Sequence, residues 1–532
     1  MRGLQPRPRQ RAAPLHLVVP DLSRGGVRDF PNLFSFPEGR GMNAGLAAPL
    51  SAKGLYSLIL GSAELSALLQ FSDGCGTIET EQCPQPAGVW RNTMNLNCYE
   101  VPCPAQCRTG SHEVTVPGSK SITNRALLLA AMAEGTSTLH GCLTSDDARH
   151  FLTCLKTLGF PVSETPDGAL GSDITITGFG GAIPAKQAEI YVGSAGTAAR
   201  FLVAMLAFSD GTYTVDASEQ MKKRPMQPLI DALREAGAEV ACLENEGHFP
   251  LRITGAGDAV PERISVNIDQ SSQFLSALLI AAGTRQQPME IHVTGRHGLS
   301  YVDLTADMMR DFGVTAEKSE QGGTIVYKLA GTAQYHAVDD PIEPDMSAAA
   351  YFYAAAALLG ITVCVKGVTD RMRQGDTAFL DVLAQMGCTV KTGARTTVTG
   401  PADGVLRGGF TVDMSAFSDQ ALTLAAIAPY ADAPITIKGI AHIRLQECDR
   451  IRAITENLAA LGIRAEAGED SVTIHPGQPV GCEIETFEDH RVAMSFALTG
   501  LRTKGVRILN PACCAKTFAE YFDVLEALLR AL

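Results

Sequence analysis

The chain has 532 residues, of which 45% are hydrophobic and 6% aromatic, and 51 are glycine; this composition excludes wholesale disorder and favours a compact α/β protein. Its net charge of −13 argues against nonspecific binding to nucleic acid or to an anionic membrane through a basic surface. An acidic total does not exclude an anionic small-molecule substrate, because a few converging Lys and Arg side chains can bind one inside an acidic protein.

The fourteen cysteines are scattered along the chain without a regular spacing. Cys98, Cys103 and Cys107 come closest to a cluster, yet no CxxC pair and no matching set of histidines accompanies them. This usage is typical of reduced thiols in a cytosolic protein. We interpret the adjacent residues Cys513 and Cys514 as small packing residues, with a redox site as the alternative.

Residues 1–93 stand outside the pattern that organises the rest of the chain, and they contain the only tryptophan, Trp90. Their first apolar stretch, residues 15–19, is too short for a secretory signal and is followed by Pro20 and Asp21. Three interpretations remain open: a disordered tail, a targeting segment, or translated upstream sequence with the true start near Met94. We expect residues 1–93 to be an N-terminal extension that is dispensable for the chemistry.

From residue 94 onwards the sequence repeats. Six times a polar or glycine-containing turn opens a short apolar helix rich in Ala and Leu. These openings can be marked by one residue each, at Ser121, Gly196, Ser272, Asp345, Asp419 and Asp489. The successive intervals are 75, 76, 73, 74 and 70 residues, a regularity that coincidental spacing in a generic α/β protein rarely maintains.

Each repeat also keeps the same internal order. The first helix runs into a β-type segment, a second amphipathic helix follows, and further strands come next. This order predicts an α/β fold of six βαβαββ-like units, three to a lobe, in two similar lobes. Residues 346–365 carry no charge and are long enough to span a membrane, but the repeat predicts a buried helix followed by a strand there.

Cationic residues recur in the loops near these helices. Helix N-termini carry free N–H groups and a partial positive charge, so they too favour phosphate and carboxylate groups. Taken singly, each cation is more typical of a surface charge or a structural ion pair than of a binding site. Together they suit a site that holds two polyanionic small molecules side by side. These residues are Lys120, Arg125, Arg200, Lys222, Lys223, Arg224, Arg444, Arg450, Arg491 and Lys516.

Eight strings in this order resemble the 5-enolpyruvylshikimate-3-phosphate (EPSP) synthase family: PGSKSITNRALLLAA, SAGTAAR, QMKKRPMQPL, SSQFLSALL, SDQAL, RLQECDRI, EDHRVAMSFAL and CCAKTF. The resemblance implies the enolpyruvyl transferase fold, an inside-out α/β barrel with two lobes of three βαβαββ units that close on the substrates. It also implies transfer of the enolpyruvyl group of phosphoenolpyruvate to the 5-hydroxyl of shikimate 3-phosphate. Phosphate is released, and no metal or organic cofactor takes part.

The lobes are expected to be discontinuous in sequence. We predict that the chain crosses between them near residues 116–120 and again near residues 339–344, where the string DDPIEPD has the composition of a loop. Residues 120–342 would then form the first lobe, and residues 94–119 with 343–532 the second.

The resemblance carries over residue by residue. It implies that shikimate 3-phosphate is bound by Lys120, Ser121, Arg125, Ser271, Ser272, Gln273, Asp419, His442 and Gln446. It implies that phosphoenolpyruvate is bound by Lys120, Gly196, Arg224, Gln273, Arg450, Arg491 and Lys516. The implied catalytic residues are Asp419, Glu447 and Lys120.

The reaction explains why these residue types are needed. The substrate hydroxyl must lose a proton while the methylene of phosphoenolpyruvate gains one, and the adduct then eliminates phosphate and loses a methyl proton. Two carboxylates and a lysine in a closed cleft can supply these transfers. We assign the hydroxyl proton to Asp419, the methylene and methyl protons to Glu447, and assistance at the departing phosphate to Lys120.

Three places depart from the family pattern. His442 and Gln446 stand where many members have Asn and Lys. Gly298 stands where the family has Ser, with Ser300 as a candidate substitute. Phe201 stands where one subgroup has Pro. None of these belongs to the phosphoenolpyruvate cluster.

Three other interpretations are weaker. A UDP-N-acetylglucosamine enolpyruvyl transferase would use a loop cysteine, and residues 218–228 contain none. An RNA 3′-phosphate cyclase would need a nucleotide and a basic RNA-binding face. A noncatalytic descendant would not be expected to retain Asp419, Glu447 and the cations together. Release of phosphate on mixing with both substrates would separate all of these.

The expected setting follows from the same resemblance. We expect a cytoplasmic monomer of the shikimate pathway, serving chorismate and aromatic amino acid biosynthesis, whose partners are its two substrates and neither nucleic acid nor membrane. Gly196 and Thr197 keep the pattern of the inhibitor-sensitive members, so we expect glyphosate to inhibit in competition with phosphoenolpyruvate.

Overall fold

The computed structural model describes residues 97–104, 110–168 and 170–532, so the extension predicted at residues 1–93, with Trp90, lies outside the described residues, as does Cys107. The helices, in chain order, are α1 Lys120–Met132, α2 Asp146–Thr157, α3 Gly196–Ala207, α4 Glu219–Lys222, α5 Gln227–Glu235, α6 Gln273–Ala282, α7 Leu299–Asp311, α8 Met346–Leu359, α9 Phe379–Gln385, α10 Ala421–Ile427, α11 Arg450–Ala460, α12 His490–Gly500 and α13 Tyr521–Arg530. Short 3₁₀ turns lie at Gly257–Ala259, Gly375–Ala378, Ser418–Gln420, Ala428–Tyr430, Ala441–Leu445 and Pro511–Lys516.

The strands, in chain order, are β1 Cys98–Glu100, β2 Ser111–Val114, β3 Glu134–Leu143, β4 Val162–Asp167, β5 Gly171–Phe179, β6 Gln187–Tyr191, β7 Thr212–Asp216, β8 Glu239–Cys242, β9 Leu251–Thr254, β10 Arg263–Asn267, β11 Met289–Thr294, β12 Ala316–Gln321, β13 Thr324–Leu329, β14 Asp339–Pro341, β15 Thr362–Val365, β16 Thr389–Lys391, β17 Thr397–Thr399, β18 Phe410–Asp413, β19 Ile435–Lys438, β20 Ala465–Ala467, β21 Ser471–Ile474, β22 Glu483–Ile484 and β23 Arg507–Leu509. In the described part of the chain they form six small sheets, and none closes into a barrel.

The sheets share one order. In β6-β7-β9-β8, β6 runs parallel to β7, and β9 runs antiparallel to both β7 and β8. The sheets β10-β11-β13-β12 and β18-β19-β21-β20 repeat this arrangement. A parallel pair needs a crossover connection, and the first helix of each repeat supplies it. The predicted βαβαββ unit is therefore confirmed in these sheets.

Two sheets take their first strand from a distant part of the chain. β14 pairs in parallel with β3 in the sheet β14-β3-β5-β4, and β2 pairs in parallel with β15 in the sheet β2-β15-β17-β16. The chain segments between these strands and helices α1 and α8 run side by side. Ser119 N donates to Glu343 O at 2.8 Å, and Asp345 N donates to Pro117 O at 2.9 Å.

The last sheet differs from the predicted unit. β22 and β23 are parallel, but their antiparallel neighbour is β1, which comes from the start of the described chain, so this sheet has three strands. The sequence predicted six complete units, and the sixth is therefore shorter than predicted. Any strand in register can satisfy the N–H and C=O groups along the edge of β23, so a strand from outside the repeat can occupy that place.

The described residues form two separate hydrophobic cores. The first core contains apolar residues between positions 122 and 342, and the second contains those at positions 99–116 and 346–528. In the first core α3 packs on both α1 and α6, and in the second α12 packs on both α8 and α10. Residues along strands such as β10 alternate between buried and exposed, so each sheet covers the helices with one face. Helices thus lie inside and sheets outside, as the inside-out fold implies.

The uncharged stretch at residues 346–365 forms the helix and strand that the repeat predicted. The side chains of α8 are almost all buried, and β15 follows directly. Gly360 ends α8 with φ 70°, a left-handed conformation that a residue without Cβ adopts readily. No helix in the described part of the chain is both long and apolar enough to cross a membrane. The described cysteines are all free thiols.

Candidate active site

One cavity between the two cores gathers most of the predicted residues. Its wall contains Lys120, Ser121, Arg125, Gly196, Arg224, Ser271, Ser272, Gln273, Asp419, Gln446, Glu447, Arg450 and Arg491. His442 and Lys516 do not line it, although each contacts a residue that does. A wider groove of about 860 Å³ along the sheet β10-β11-β13-β12 contains none of the predicted residues. The residues predicted from sequence therefore cluster in one cavity, although that cavity is not the largest groove.

The helix starts around this cavity are not equivalent, although the sequence suggested that all could bind anions. Asp345 accepts from the Ser347 and Ala348 amides at the start of α8, and Asp489 accepts from the Arg491 amide at the start of α12. Helix α3 has no side-chain cap, whereas the Gln273 amide at the start of α6 donates to Ser271 Oγ at 3.3 Å; the first residues of both helices line the cavity. Only an uncapped helix start keeps N–H groups available to an anion, so α3 suits that role best.

Arg450 organises the half of the cavity that belongs to the second core. Its side chain is 1% exposed and donates from Nη1 to Asp419 Oδ1 at 3.0 Å, from Nη2 to Glu447 Oε2 at 2.9 Å and from Nε to Asp489 Oδ2 at 2.8 Å. It also donates to the Gln446 side chain. Burial lowers the pKa of Arg450, but the three carboxylates outweigh burial and raise it above its ordinary value. One guanidinium therefore fixes the relative positions of both predicted catalytic carboxylates.

Asp419 lies between two guanidiniums. Besides Arg450, it accepts from Arg491 Nη2 through Oδ2 at 2.7 Å. Burial raises the pKa of Asp419, but Arg491, Arg450 and Lys120 outweigh it, so the pKa is held below its usual value. Asp419 is consequently an anion across the neutral pH range.

Glu447 is contacted from both cores. Lys516 Nζ lies 3.5 Å from Glu447 Oε1, and Arg224 Nη1 of the first core lies 3.9 Å from the same oxygen. Gln220, also near the first core, donates from Nε2 to the Glu447 backbone oxygen at 3.2 Å. Burial raises the pKa of Glu447, but Lys516, Arg450 and Arg224 outweigh it and hold the pKa well below its usual value. The contacts from the first core exist only because the two halves of the cavity face each other closely.

Lys120 supplies a cation whose charge is only partly balanced. Its Nζ lies 4.0 Å from Asp147 Oδ2, and both side chains are largely buried. Burial lowers the pKa of Lys120, against the opposing effects of Asp147 and Glu447. Burial likewise raises the pKa of Asp147. A buried ammonium with its nearest carboxylate at that distance is well suited to binding a phosphate group.

Arg125 is held rigidly by neighbours of its own core. It donates from Nε to Thr305 Oγ1 at 2.7 Å, from Nη1 to Ser121 O at 2.8 Å and from Nη2 to Tyr301 O at 3.0 Å. Its guanidinium also lies 5.5 Å from the ring centre of Phe201. The departure at Phe201 thus has a structural role, because the aromatic ring packs against the buried cation.

The SSQ turn is tied to the SAGTAAR helix by side chains. Arg200, a buried residue of the cavity wall, donates from Nη1 to Gln273 Oε1 at 2.7 Å, and Gln273 donates from Nε2 to Thr197 Oγ1 at 3.1 Å. Arg200 also stacks over Phe274, with 5.2 Å between guanidinium carbon and ring centre. Arg200 therefore positions Gln273. The sequence identified Arg200 only as one of several cations and did not predict this function.

His442 lies one layer behind the wall. Its ring stacks on His297, which lines the cavity from the first core, with 3.5 Å between ring centres, and its Nε2 lies 2.7 Å from Ser418 Oγ. Burial lowers the pKa of His442 to about 3 and that of His297 to about 4. Both rings are therefore neutral at physiological pH, which permits two imidazoles to stack closely.

Ser300, the candidate substitute for the missing serine at position 298, is engaged elsewhere. Its Oγ donates to Ala416 O, across the cleft, at 2.6 Å. Gly298 itself has φ 62°, and a Cβ added there would lie 2.6 Å from Ser272 Oγ. A side chain at position 298 of this backbone would thus meet the Ser272 hydroxyl of the SSQ turn, which would have to move.

Several site residues had no predicted role. Asp489 is completely buried and forms an ion pair with Arg450. Tyr301 and His297 line the cavity, and Asp376 lies behind Tyr301. Gln220 contacts Glu447. Asp489 was visible in the sequence only as the residue that opens a helix, a pattern that indicates an N-cap and not an ion pair. The other four depend on contacts between distant parts of the chain.

Comparisons with known proteins agree on one family. The family model for EPSP synthase (3-phosphoshikimate 1-carboxyvinyltransferase) matches residues 107–525. The 3-phosphoshikimate 1-carboxyvinyltransferase of Nostoc punctiforme is 43% identical over 424 residues, which is 79% of this chain and 97% of that protein. The structure of EPSP synthase from Acinetobacter baumannii superposes with a TM-score of 0.65 at 26% identity, covering 81% of this chain and 98% of that one. The enolpyruvyl transferase NikO from Streptomyces tendae shares the fold, with a TM-score of 0.63 at 18% identity, over 81% of this chain and 97% of that one.

Proposed function

The chain belongs to the EPSP synthase family and has 3-phosphoshikimate 1-carboxyvinyltransferase activity in the shikimate pathway, and on that premise we propose how its residues carry out the transfer. The 5-hydroxyl oxygen of shikimate 3-phosphate adds to C2 of phosphoenolpyruvate, and C3 gains a proton to become a methyl group. The C2–O bond to phosphate then breaks, the methyl group loses a proton, and the enolpyruvyl ether and phosphate are released.

The observation that supports this best is the convergence of cations from both cores on one cavity. Lys120, Arg125 and Arg224 approach from the first core, and Arg450 and Arg491 from the second. Two phosphorylated anions can be held together only where such charges surround them and water is largely excluded. We assign shikimate 3-phosphate to the side with Lys120, Ser121, Arg125, Ser271, Ser272 and Gln273, and phosphoenolpyruvate to the side with Gly196, Arg224, Arg450, Arg491 and Lys516.

Gln446 and His442, which depart from the family pattern, fit this assignment if His442 acts indirectly. Gln446 lines the cavity and can contact shikimate 3-phosphate directly. His442 acts through His297, because the stacked pair presents the His297 ring, and not the His442 ring, to the cavity.

The proton transfers are assigned to the two carboxylates that Arg450 holds. With both substrates bound, Glu447 carries a proton, which it delivers to C3 while Asp419 takes the 5-hydroxyl proton. On elimination Glu447 takes back a methyl proton, and the proton on Asp419 passes to the departing phosphate, which Lys120 assists. In the free site burial raises the pKa of both carboxylates, but nearby cations, Lys516 among them at Glu447 and Arg450 at both, outweigh burial and lower it. Substrate anions compete for these cations, so binding raises the proton affinity of both carboxylates and lets Glu447 take up the proton that it delivers.

Two lobes that close on the substrates suit this chemistry. We assign residues 120–342 to the first lobe and residues 94–119 and 343–532 to the second, supported by the two separate hydrophobic cores. Contacts that span the cleft, such as Ser300 to Ala416 and Gln220 to Glu447, can form only in a closed arrangement. Closure excludes water from the reacting carbons.

Phosphate release tests the activity. Purified protein mixed with shikimate 3-phosphate and phosphoenolpyruvate is expected to release one phosphate per enolpyruvyl ether formed. Either substrate alone serves as the control and is expected to release none. Failure to release phosphate from the pair, with correctly folded protein, would contradict the activity.

Glyphosate is expected to inhibit competitively with phosphoenolpyruvate. Gly196 begins α3 without a side-chain cap, and a Cβ at this position would lie 2.4 Å from Arg224 Nη1, so only glycine leaves room there for a compact anion. Initial rates at several phosphoenolpyruvate concentrations should give an apparent KM that rises linearly with glyphosate. Gly196→Ala should weaken the inhibition and also raise the KM for phosphoenolpyruvate. Unchanged rates at low phosphoenolpyruvate and saturating glyphosate would contradict the prediction.

Gly298→Ala is expected to raise the KM for shikimate 3-phosphate by about threefold to tenfold, because the new Cβ would displace the Ser272 hydroxyl. Gly322→Ala is the matched control, since Gly322 has φ 58° with open space around its Cβ position. Both variants should lose about 1 kcal/mol of unfolding free energy from the left-handed backbone. Equal KM values in the two variants would remove Ser272 from phosphate binding.

We also propose that the protein acts as a cytoplasmic monomer with no nucleic acid or membrane partner. Its net charge of −13 and its family support this. Sedimentation equilibrium measures the oligomeric state directly.

A further inference from the structure

A carboxyl group that the proposed mechanism does not use lies close behind Asp419. Asp376, in the 3₁₀ turn Gly375–Ala378, is 3% exposed, and no Lys or Arg nitrogen in the described part of the chain lies within ion-pair distance of it. Its Oδ1 accepts from Gln420 Nε2 at 2.7 Å and from Ser347 Oγ at 3.0 Å. Two neutral donors at one oxygen fix the orientation of the carboxyl group without neutralising it.

The other oxygen of Asp376 faces a shared hydroxyl. Tyr301 Oη lies 3.4 Å from Asp376 Oδ2 and 3.5 Å from Asp419 Oδ2. Tyr301 belongs to α7 of the first core, and its backbone oxygen accepts from Arg125 and Thr305, which fixes the turn of helix that carries the ring. A phenol carries one hydrogen and can donate it to only one of the two carboxylates at a time.

We propose that Asp376 is a positioning residue for proton transfer at Asp419, acting through the Tyr301 hydroxyl that lies between the two carboxyl groups. The inference rests on the proposed role of Asp419 as the group that takes the substrate hydroxyl proton. When Asp419 gains that proton, the Tyr301 hydrogen turns from Asp419 to Asp376, and no proton enters or leaves the pair beyond the one taken from the substrate. Once Asp419 is neutral, the Tyr301 hydroxyl thus donates a stronger hydrogen bond to Asp376, which is still charged.

The charged groups around Asp376 set the pH at which this works. Burial, then the neighbouring Asp419, raises the pKa of Asp376 to about 6, against the opposing effect of Arg491, while Asp345 raises it slightly further. Above that pH Asp376 is an anion, and its negative charge increases the proton affinity of Asp419. Below it Asp376 is neutral and Asp419 is a weaker base. The kcat should therefore fall as the pH drops through about 6.

Asp376→Asn tests the inference by removing the charge and keeping the shape. The amide oxygen can still accept from Gln420 and Ser347, so the fold is expected to persist. The variant should show a kcat about tenfold lower at pH 8, no acid limb near pH 6, and KM values within twofold of the wild type, because Asp376 does not line the cavity. Asp381→Asn, the same substitution on the exposed side of the adjacent helix α9, should keep the wild-type pH profile.

Two results for Asp376→Asn would overturn the inference. A wild-type pH profile in Asp376→Asn excludes it, and so does a lower kcat with the acid limb unmoved, which would indicate a structural role only. If Asp376→Asn does not fold, Tyr301→Phe removes the shared hydroxyl instead, and an acid limb that stays in place in that variant overturns the inference. Asp419→Asn separates the two claims: full activity there contradicts the proposed role of Asp419, whereas loss there with an unaffected Asp376→Asn contradicts only the inference.

Discussion

Glu447→Gln is expected to lower kcat by about two to four orders of magnitude while the KM values for both substrates change only a few-fold. Glutamine has the same shape, and its amide oxygen can still accept from Arg450, whose Nη2 lies 2.9 Å from Glu447 Oε2. It lacks a group that can deliver a proton to C3 and remove one again. Phosphate release at saturating concentrations of both substrates measures the change.

Glu456→Gln is the matched control for this variant. Glu456 lies on the same segment of chain, on the exposed side of α11, where it pairs with Arg452. The control should keep the wild-type kcat, since a surface pair of this kind contributes little.

Isotope exchange separates proton transfer from general damage to the site. In D₂O the wild-type enzyme should incorporate deuterium at C3 of phosphoenolpyruvate and product, because C3 becomes a methyl group in the intermediate. Glu447→Gln should lose this exchange in proportion to turnover. Near-normal turnover or undiminished exchange in the variant would remove Glu447 from the C3 proton transfers and leave it a structural partner of Arg450 and Lys516.

The repeat was predictable from sequence because each unit is a local pattern. The intervals between markers such as Ser121 and Gly196 record where buried helices begin, and apolar periodicity depends only on neighbouring residues. The strands that join a sheet from a distant part of the chain were harder to predict. β14 joins the sheet of β3, and β1 closes the sheet of β23, through pairings that no local pattern specifies.

The candidate site divides in the same way. Residues inside motif strings, such as Glu447 and Arg450, were identified together because they lie near one another in the chain. The stacking of His297 on His442 and the sharing of the Tyr301 hydroxyl depend on how two distant segments face each other across the cleft. Such contacts follow from tertiary packing, so a single sequence carries no signal for them.

Arg450→Ala is expected to destabilise the protein by about 3–5 kcal/mol at neutral pH, in addition to abolishing turnover. Removing one partner of a buried ion pair leaves the other charge uncompensated. Asp419 would keep Arg491, and Glu447 would keep Lys516. Asp489 is completely buried and would keep the Arg491 backbone amide and the Cys448 thiol, both neutral donors, so most of the loss should arise there.

The pH dependence of this loss has a definite sign. The pKa values of Asp419 and Glu447 are lowered in the folded protein, and Arg450 is among the causes. A carboxylate with a depressed folded-state pKa contributes stability above its unfolded pKa of about 4, and this contribution is lost as the pH falls through the folded value. The difference between wild type and Arg450→Ala should therefore be largest at neutral pH and should narrow as the pH falls below about 4.

Urea unfolding of the wild type, Arg450→Ala and Arg452→Ala at pH 7 and at acidic pH measures these differences. Arg452 lies two residues further along α11, is exposed and pairs with Glu456, so its removal should cost less than about 1 kcal/mol at either pH. Adding Asp489→Asn to Arg450→Ala should recover part of the lost stability, because it removes the stranded charge while its side-chain oxygen can still accept from the Arg491 amide. Equal stability of Arg450→Ala and Arg452→Ala would contradict the view that one buried guanidinium holds the carboxylates of the site. A double variant no more stable than Arg450→Ala alone would show that the loss does not arise at Asp489.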